Sequence, residues 1–401
     1  MDSSECGEAL RRRVSDVFET EQVPWLSHLV DTPSHTHAKD DVEVAAQHLD
    51  VAMQALGFTR TLVPDPSGQF ADHRIYDSAA VTDAPCLTLV GHVDTVFPRS
   101  MGFLRMVRDG DVVRGPGVLD MKSGLACIVF ACRALHRVNP SAFARLAVRF
   151  VCNTDEEVGS PTSAPMFADL APRIDRALVF EGGRDGDRVI TERKGGGMFT
   201  LDVTGRAAHA GVDHAAGVNA IEALSYLIQR VEALTDYDRG VTANVGLVEG
   251  GTAKNTVPEH AHCIIDTRFL TLADAAAVQA ALEAMAADPW DARVPQRLHA
   301  ARVGLTSVLT RPPMEASEAS QRLRLQYERH AAAAGLGVGQ APRQGGGSDA
   351  NLLSAAGVPC IDGLGPFGKF FHKAQEWSSL RSQRMRTSAL SCFLAECADD
   401  V

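Results

Sequence analysis

The 401-residue sequence predicts an α/β fold: a mostly parallel-sheet domain with helices on both faces, interrupted by an inserted βαββαβ unit of ferredoxin-like order. Three observations carry this. The runs CLTLV, RLAVRFV, RALVF and VPCI are apolar without alternation, as strands covered on both faces are. Between the first two lies MKSGLACIVFACRALHRV, with Leu125, Ile128, Val129, Cys132 and Leu135 on a helical period. From about Gly195 the texture changes to a strand, a helix, two strands, a helix and a strand.

In the first domain every apolar run ends in a polar motif: CLTLV in GHVDTV, RLAVRFV in NTDEEVGS, RALVF in Glu181 and two glycines, VPCI in DGLGPFG. Ligands of such sheets bind beyond the carboxyl ends of the strands. In the inserted stretch, GMFTLDVTG reads as a strand and GVNAIEALSYLIQRVEAL as a helix with Ile221, Leu224, Ile228 and Val231 on one face. ANVGLVE and AHCIIDTRFL follow as strands, then a helix carrying Val278, Leu282 and Met285, then the strand ARVGLTSVL. The expected boundaries are 1–194 with 312–401 for the first domain and 195–311 for the insert.

Composition narrows the class. Hydrophobic residues at 45% and charged residues at 22% describe an ordinary globular chain. Fifty acidic against 39 basic residues leave a charge of −11, which argues against a nucleic-acid-binding surface. The N-terminal residues lack an apolar stretch of signal-peptide length, and no uncharged apolar run reaches the ~18 residues of a membrane span, so a cytoplasmic location with no membrane partner is expected. Nine cysteines without a C-x-x-C pair fit reduced structural thiols better than disulfides or a thiolate zinc site.

TDEEVGS sets Asp155, Glu156 and Glu157 side by side at a strand end. Crowded like charges raise one another's pKa unless a cation, a proton or water relieves them. A metal explains the cluster if other ligands converge. His92 and Asp94 alternate at a strand end, so both can point one way, with Asp94 orienting the His92 ring. Asp120 precedes a helix, Glu157 and Glu181 close two strands, and His372 follows the last strand. Histidine and carboxylate ligands without thiolates point to a catalytic zinc, cobalt or manganese site rather than a structural zinc. Taken singly, each piece has a plainer explanation: Asp120 as a helix cap, either histidine as a hydrogen-bonded surface or core residue. GLGPFG fits a dinucleotide pattern but opens no convincing helix, and RQGGGSDAN lacks the Gly-Lys-Ser/Thr ending of a phosphate loop.

In order, GHVDTVF, GPGVLDMKSG, TDEEVGS, TGRAAHAG, DTRF and GGGSDAN resemble the dinuclear-zinc metallopeptidase family of glutamate carboxypeptidase, aminoacylase and succinyl-diaminopimelate desuccinylase, the glutamate carboxypeptidase branch most closely. The likeness runs from about residue 25 to near the C-terminus and makes the insert a lid and dimerisation domain. It implies two Zn2+ per subunit, with Co2+ or Mn2+ as substitutes. Asp120 would bridge them, His92 and Glu181 completing one site and Glu157 and His372 the other. Glu156 would be the general base toward metal-bridged hydroxide. His209 resembles a histidine that steadies the oxyanion, commonly from the partner subunit. Asn255, Arg268 and the loop Gly345, Gly346 and Gly347 resemble positions that hold a substrate's free carboxylate, and Lys194 one that accepts an acidic side chain. Pro116 and Ser123 stand where the family often has Arg and Gly, and neither removes a ligand.

The expected activity is hydrolysis of an amide to release a free C-terminal amino acid from a peptide or N-acyl amino acid, by a homodimer. The alternatives are an N-acyl-amino-acid deacylase or desuccinylase, a biosynthetic enzyme forming an unusual amide at the same site, and a metal-dependent binding or scaffold protein. The intact Glu156 argues against the last.

Overall fold

The computed structural model describes residues 3–399, which fall into two compact units. The first takes in the chain up to Glu192, Ala316–Arg343 and the chain from Ser348; the second is Arg193–Glu315 with Gln344–Gly347. In chain order the strands are β1 (Thr59–Val63), β2 (His73–Asp77), β3 (Cys86–His92), β4 (Val107–Asp109), β5 (Val112–Arg114), β6 (Val148–Asn153) and β7 (Ile174–Val179). They continue with β8 (Gly195–Thr204), β9 (Thr242–Gly250), β10 (His260–Phe269), β11 (Arg302–Arg311), β12 (Cys360–Ile361), β13 (Gly368–Lys369) and β14 (Trp377–Ser379).

The first unit is built on a six-stranded sheet of order β1-β2-β6-β3-β7-β12. The pairs β6-β3, β3-β7 and β7-β12 are parallel, and β1-β2 and β2-β6 antiparallel. Every residue of β3 and β6 is buried, as their mainly apolar runs demand, with Arg149 of β6 paired to Asp77. Helix Ser123–Val138 is buried nearly all round, with Ala126, Cys127, Phe130 and Ala131 joining the expected stripe, so it lies inside the core. RLAVRFV becomes a strand only at Val148, because Pro140–Arg145 forms a helix whose end is capped by the Leu146 backbone N–H. A second, antiparallel sheet of order β13-β14-β5-β4 ties the segment before the C-terminal helix to the segment before Asp120.

The second unit has the order strand, helix, two strands, helix, strand, folded into an antiparallel sheet β11-β8-β10-β9. Burial alternates along β8 and β10, and the buried face meets helices Ala220–Glu232 and Leu272–Ala287. Val278, Leu282 and Met285 are buried as expected. Ile221 is not: Ala220, Ala223, Leu224, Leu227 and Val231 form the core face, and Ile221 is 41% exposed. The expected end of the insert at residue 311 also shifts. Arg193 exchanges backbone hydrogen bonds with Met314, and Lys194 N–H donates to Gln344 O, drawing the chain to Glu315 and the loop Gln344–Gly347 into this unit.

Among the described residues no helix is long and apolar enough to cross a membrane. All nine cysteines are free and buried, and burial pushes the Cys127, Cys132 and Cys152 thiols up to about 12, as inert core thiols require.

Candidate metal centre

Strand ends of the parallel sheet deliver the side chains. His92 is the last residue of β3, Glu157 sits in the short turn after β6, and Glu181 lies two residues past β7. Asp120 stands in the turn Val118–Lys122 that leads into helix Ser123–Val138, and His372 follows β13 with its backbone in the left-handed region at φ 60°. Ligand atoms of His92, Asp120 and Glu181 all lie within 4.8 Å of one another, and so do those of Asp120, Glu157 and His372. Asp120 is common to both groups. His92 Nε2 is 3.3 Å from Asp120 Oδ1 and 3.7 Å from Glu181 Oε1, and His372 Nε2 is 3.1 Å from both Asp120 Oδ2 and Glu157 Oε2.

Asp94 organises the rim of this cluster. It is fully buried, and its Oδ2 accepts from the Thr36 hydroxyl at 2.8 Å and from the Glu157 N–H at 3.2 Å. His92 Nδ1 lies 3.0 Å from Asp94 O and 3.3 Å from Asp94 Oδ1. A proton on Nδ1 therefore finds acceptors, and Nε2 turns its lone pair toward the carboxylates. Asp155, the first acid of TDEE, is the loop-capping residue of the three rather than a solvated one. Its carboxylate takes hydrogen bonds from the N–H and hydroxyl groups of both Thr162 and Ser163 at 2.5–3.1 Å, at the start of helix Ser163–Leu170.

The electrostatics are those of crowded anions. Burial, then the Asp120 charge, pushes Glu157 up to about 8, and the same two causes hold Glu181 well above the carboxylate range. The Glu156 charge adds to the upward push on both. Hydrogen bonds to Asp120 and Glu157 push His372 up to about 11. Burial opposes a charged His92, yet the nearby carboxylates of Asp120, Asp94 and Glu181 outweigh that and raise it. Among the described residues no lysine or arginine pairs with Asp120, Glu157 or Glu181. His92 Nε2, Asp120 Oδ1 and Glu157 Oε1 are buried without a hydrogen-bond partner there. A buried imidazole nitrogen and carboxylate oxygens that converge unsatisfied fit a divalent cation of the zinc, cobalt or manganese type.

The remaining expected residues lie in the second unit, in two separate places. Arg268, on β10, is level with Gly196 of β8, and Lys194 precedes that strand, its Nζ donating to Gly240 O at 3.1 Å. Arg268 is already engaged: its Nε and Nη2 donate to Asp266 at 3.0 and 2.9 Å. Gly346 O accepts from Arg193, and a side chain at Gly345 or Gly346 would meet nothing within 4 Å, so the backbone of this loop is open to approach. His209 and Asn255 sit at the other end of the sheet. β8 and β10 stay paired from Gly195–Phe269 to Thr204–His260, and ten residues of strand span about 30 Å. Within one chain Asn255 and Arg268 therefore stand apart. Asn255 instead neighbours His209, its O accepting the Ala210 N–H at 2.9 Å. His209 is exposed, and its Nδ1 accepts the Gly211 N–H at 3.1 Å, which leaves the ring proton on Nε2.

Sequence reading missed Thr36 and Glu376. Glu376 is fully buried, and its Oε1 accepts the Leu119 N–H at 2.6 Å and the Asp120 N–H at 3.1 Å. Neither carries a local signal, since each acts on a segment distant in sequence.

Comparison with known proteins agrees with this geometry. A family model described as the M20 peptidase dimerisation domain matches residues 191–293. Carboxypeptidase G2 of Pseudomonas sp. (strain RS-16) is 28% identical over 87% of this chain and 82% of its own length. Succinyl-diaminopimelate desuccinylase of Methylobacterium sp. (strain 4-46) is 26% identical over 73% of this chain and 76% of its own. The crystal structure of an M20 family metallo-carboxypeptidase from Sulfolobus solfataricus has the same fold, with TM-score 0.70, 14% identity and coverage of 94% of this chain and 99% of that one. A peptidase dimerisation domain set into a parallel-sheet unit whose strand ends gather two histidines and three carboxylates makes the chain a metal-dependent hydrolase similar to the M20 metallopeptidases.

Proposed function

We propose that this hydrolase uses two zinc ions to cleave an amide and release a free C-terminal amino acid, working as a homodimer. The observation that carries the reading is the sharing of Asp120 between two ligand groups, one of which includes Glu157, the chain neighbour of Glu156. His92 and Glu181 would hold one ion and Glu157 and His372 the other, with Asp120 between them. When bound, the ions would lower the pKa of a shared water and polarise the scissile carbonyl.

The chain's own groups do the rest. Glu156 takes a proton from the attacking water and passes it to the amide nitrogen, so the amine leaves neutral. Asp94 fixes the His92 ring and, through the Glu157 N–H, the turn that carries Glu156. Arg268 exchanges Asp266 for the substrate carboxylate, which its planar fork can grip through two hydrogen bonds. Gly345 to Gly347 offer backbone N–H groups to the same carboxylate, and Lys194 favours an acidic side chain.

His209 donates Nε2–H to the oxyanion. Its separation from Arg268 by the length of a strand supports supply of His209 and Asn255 from a partner subunit. The edge strand β9, with Leu247 and Val248 more than half exposed, offers a pairing surface for that partner.

A second reading, deacylase or desuccinylase, rests on the desuccinylase relative. Zinc-loaded hydrolysis of N-acyl amino acids and dipeptides with varied C-terminal residues tests both. Preference for a C-terminal residue, glutamate above all, supports the carboxypeptidase, and preference for an acyl group supports the deacylase. Glu156→Ala should lose about 10²–10⁴-fold in kcat. A Glu156→Ala protein as active as the parent would refute the mechanism.

A further inference from the structure

Glu376 is a fully buried carboxylate that the proposed mechanism does not use. It stands directly before β14, which is hydrogen-bonded to β5 through Trp377–Arg114, Ser378–Val113 and Ser379–Val112, so its backbone is held by a sheet. Its own N–H donates to Lys373 O at 2.8 Å, closing the turn that directly follows His372. Its side chain reaches the turn Val118–Lys122. There Val118 and Lys122 donate backbone N–H groups to Gly115 O and Gly117 O, while Leu119 and Asp120 donate theirs to Glu376 Oε1. One carboxylate oxygen thus satisfies two successive buried donors, those of Leu119 and Asp120, and the backbone of the same residue closes the turn that follows His372.

We propose that Glu376 is a positioning residue for the metal centre, clamping the Asp120 backbone so that its carboxylate faces both ligand groups and fixing the spacing between Asp120 and His372. This rests on the two-metal reading above and deepens it. Asp120 enters both groups, so any rotation of its backbone changes both at once. A carboxyl group suits the task because one oxygen, with two lone pairs, accepts from both backbone N–H groups at once. Its remaining oxygen, Oε2, has no hydrogen-bond partner among the described residues, so the clamp works through Oε1 alone. Asn, Ser or Ala at this place would leave one or both amides unsatisfied, and Asp would fall a methylene short.

The test is Co2+ titration of the parent, Glu376→Gln, Glu376→Asp and Glu376→Ala, read by calorimetry and by the visible spectrum of the bound ion. Glu376→Gln keeps an acceptor oxygen at the right reach and should bind two ions with near-parental affinity and spectrum. Glu376→Asp and Glu376→Ala should lose on the order of 10–100-fold in affinity at both sites, with altered spectra. If Glu376→Ala fails to fold, the contrast between Gln and Asp carries the test. Two ions bound by the parent and by Glu376→Asp with equal affinity and identical spectra would overturn the inference while leaving the two-metal reading intact. A parent that binds no second ion would overturn both.

Discussion

Arg268 grips Asp266 through two hydrogen bonds, 3.0 Å from Nε and 2.9 Å from Nη2, on a strand where both side chains are roughly half exposed. A surface pair of this kind contributes little to stability and is easily exchanged for a better anion. Arg268→Leu should therefore fold normally and lose roughly 10–100-fold in kcat/KM on substrates with a free C-terminal carboxylate, the value of one or two charged hydrogen bonds. The same substrates with an amidated C-terminus should be insensitive to the change. Equal losses on both would mean that Arg268 shapes the unit rather than holding the carboxylate.

Placing His209 about a strand's length from Arg268 makes a prediction about chain mixing. His209→Ala and Glu156→Ala should each be nearly inactive. Exchanged one to one, they should regain about a quarter of parental activity, because half the dimers are mixed and each mixed dimer has one complete site. Absence of recovery after verified exchange would place His209 in cis or outside the reaction.

His48 gives a pH dependence with a definite sign. Burial, then the charges of His28 and Lys122, lowers its pKa, and Thr32, whose hydroxyl proton goes to His28 O, faces His48 Nε2 at 3.0 Å and so accepts from it. The folded chain prefers the neutral ring while the unfolded chain titrates at its ordinary value of about 6.5. Above that value His48 costs nothing. As pH falls from 6.5 through the lowered folded value, the unfolded state binds the proton first and stability drops. The ring is half-buried, so the slope should stay well below the single-proton ceiling of about 1.4 kcal/mol per pH unit. His48→Gln keeps an N–H for Thr32 and should flatten the fall in Tm between pH 7 and pH 5. A parallel curve for the variant would exclude His48 as a source of acid sensitivity.

What could be read from the sequence follows from how local each signal is. β3, β6 and β7 were legible because strands buried on both faces need unbroken apolar runs, and their polar ends marked where side chains converge. β1 and β2 were not, since TRTLV is an exposed edge strand and HRIYD, though buried, is mostly polar. Helix Ala220–Glu232 was found with its face misjudged, because alanines at 220 and 223 pack the core as well as larger residues do and Ile221 looks the more hydrophobic. Thr36 and Glu376 were invisible because each works through a contact with residues distant in sequence. His92, Asp120, Glu157, Glu181 and His372 stood out by their places at strand ends, motif resemblance divided them between two ions, and the separation of Asn255 from Arg268 emerged only from the pairing of β8 with β10.

The central claim is that one carboxylate, Asp120, serves two ion sites. Zinc titration of the metal-free parent, His92→Ala, His372→Ala and Asp120→Ala, with stoichiometry by calorimetry and elemental analysis, tests it most directly. The account predicts two ions per chain for the parent, one for each histidine variant and neither bound tightly by Asp120→Ala, with the thermal stabilisation by zinc shrinking in step. A parent that binds a single ion, or an Asp120→Ala protein that still binds two, would contradict it.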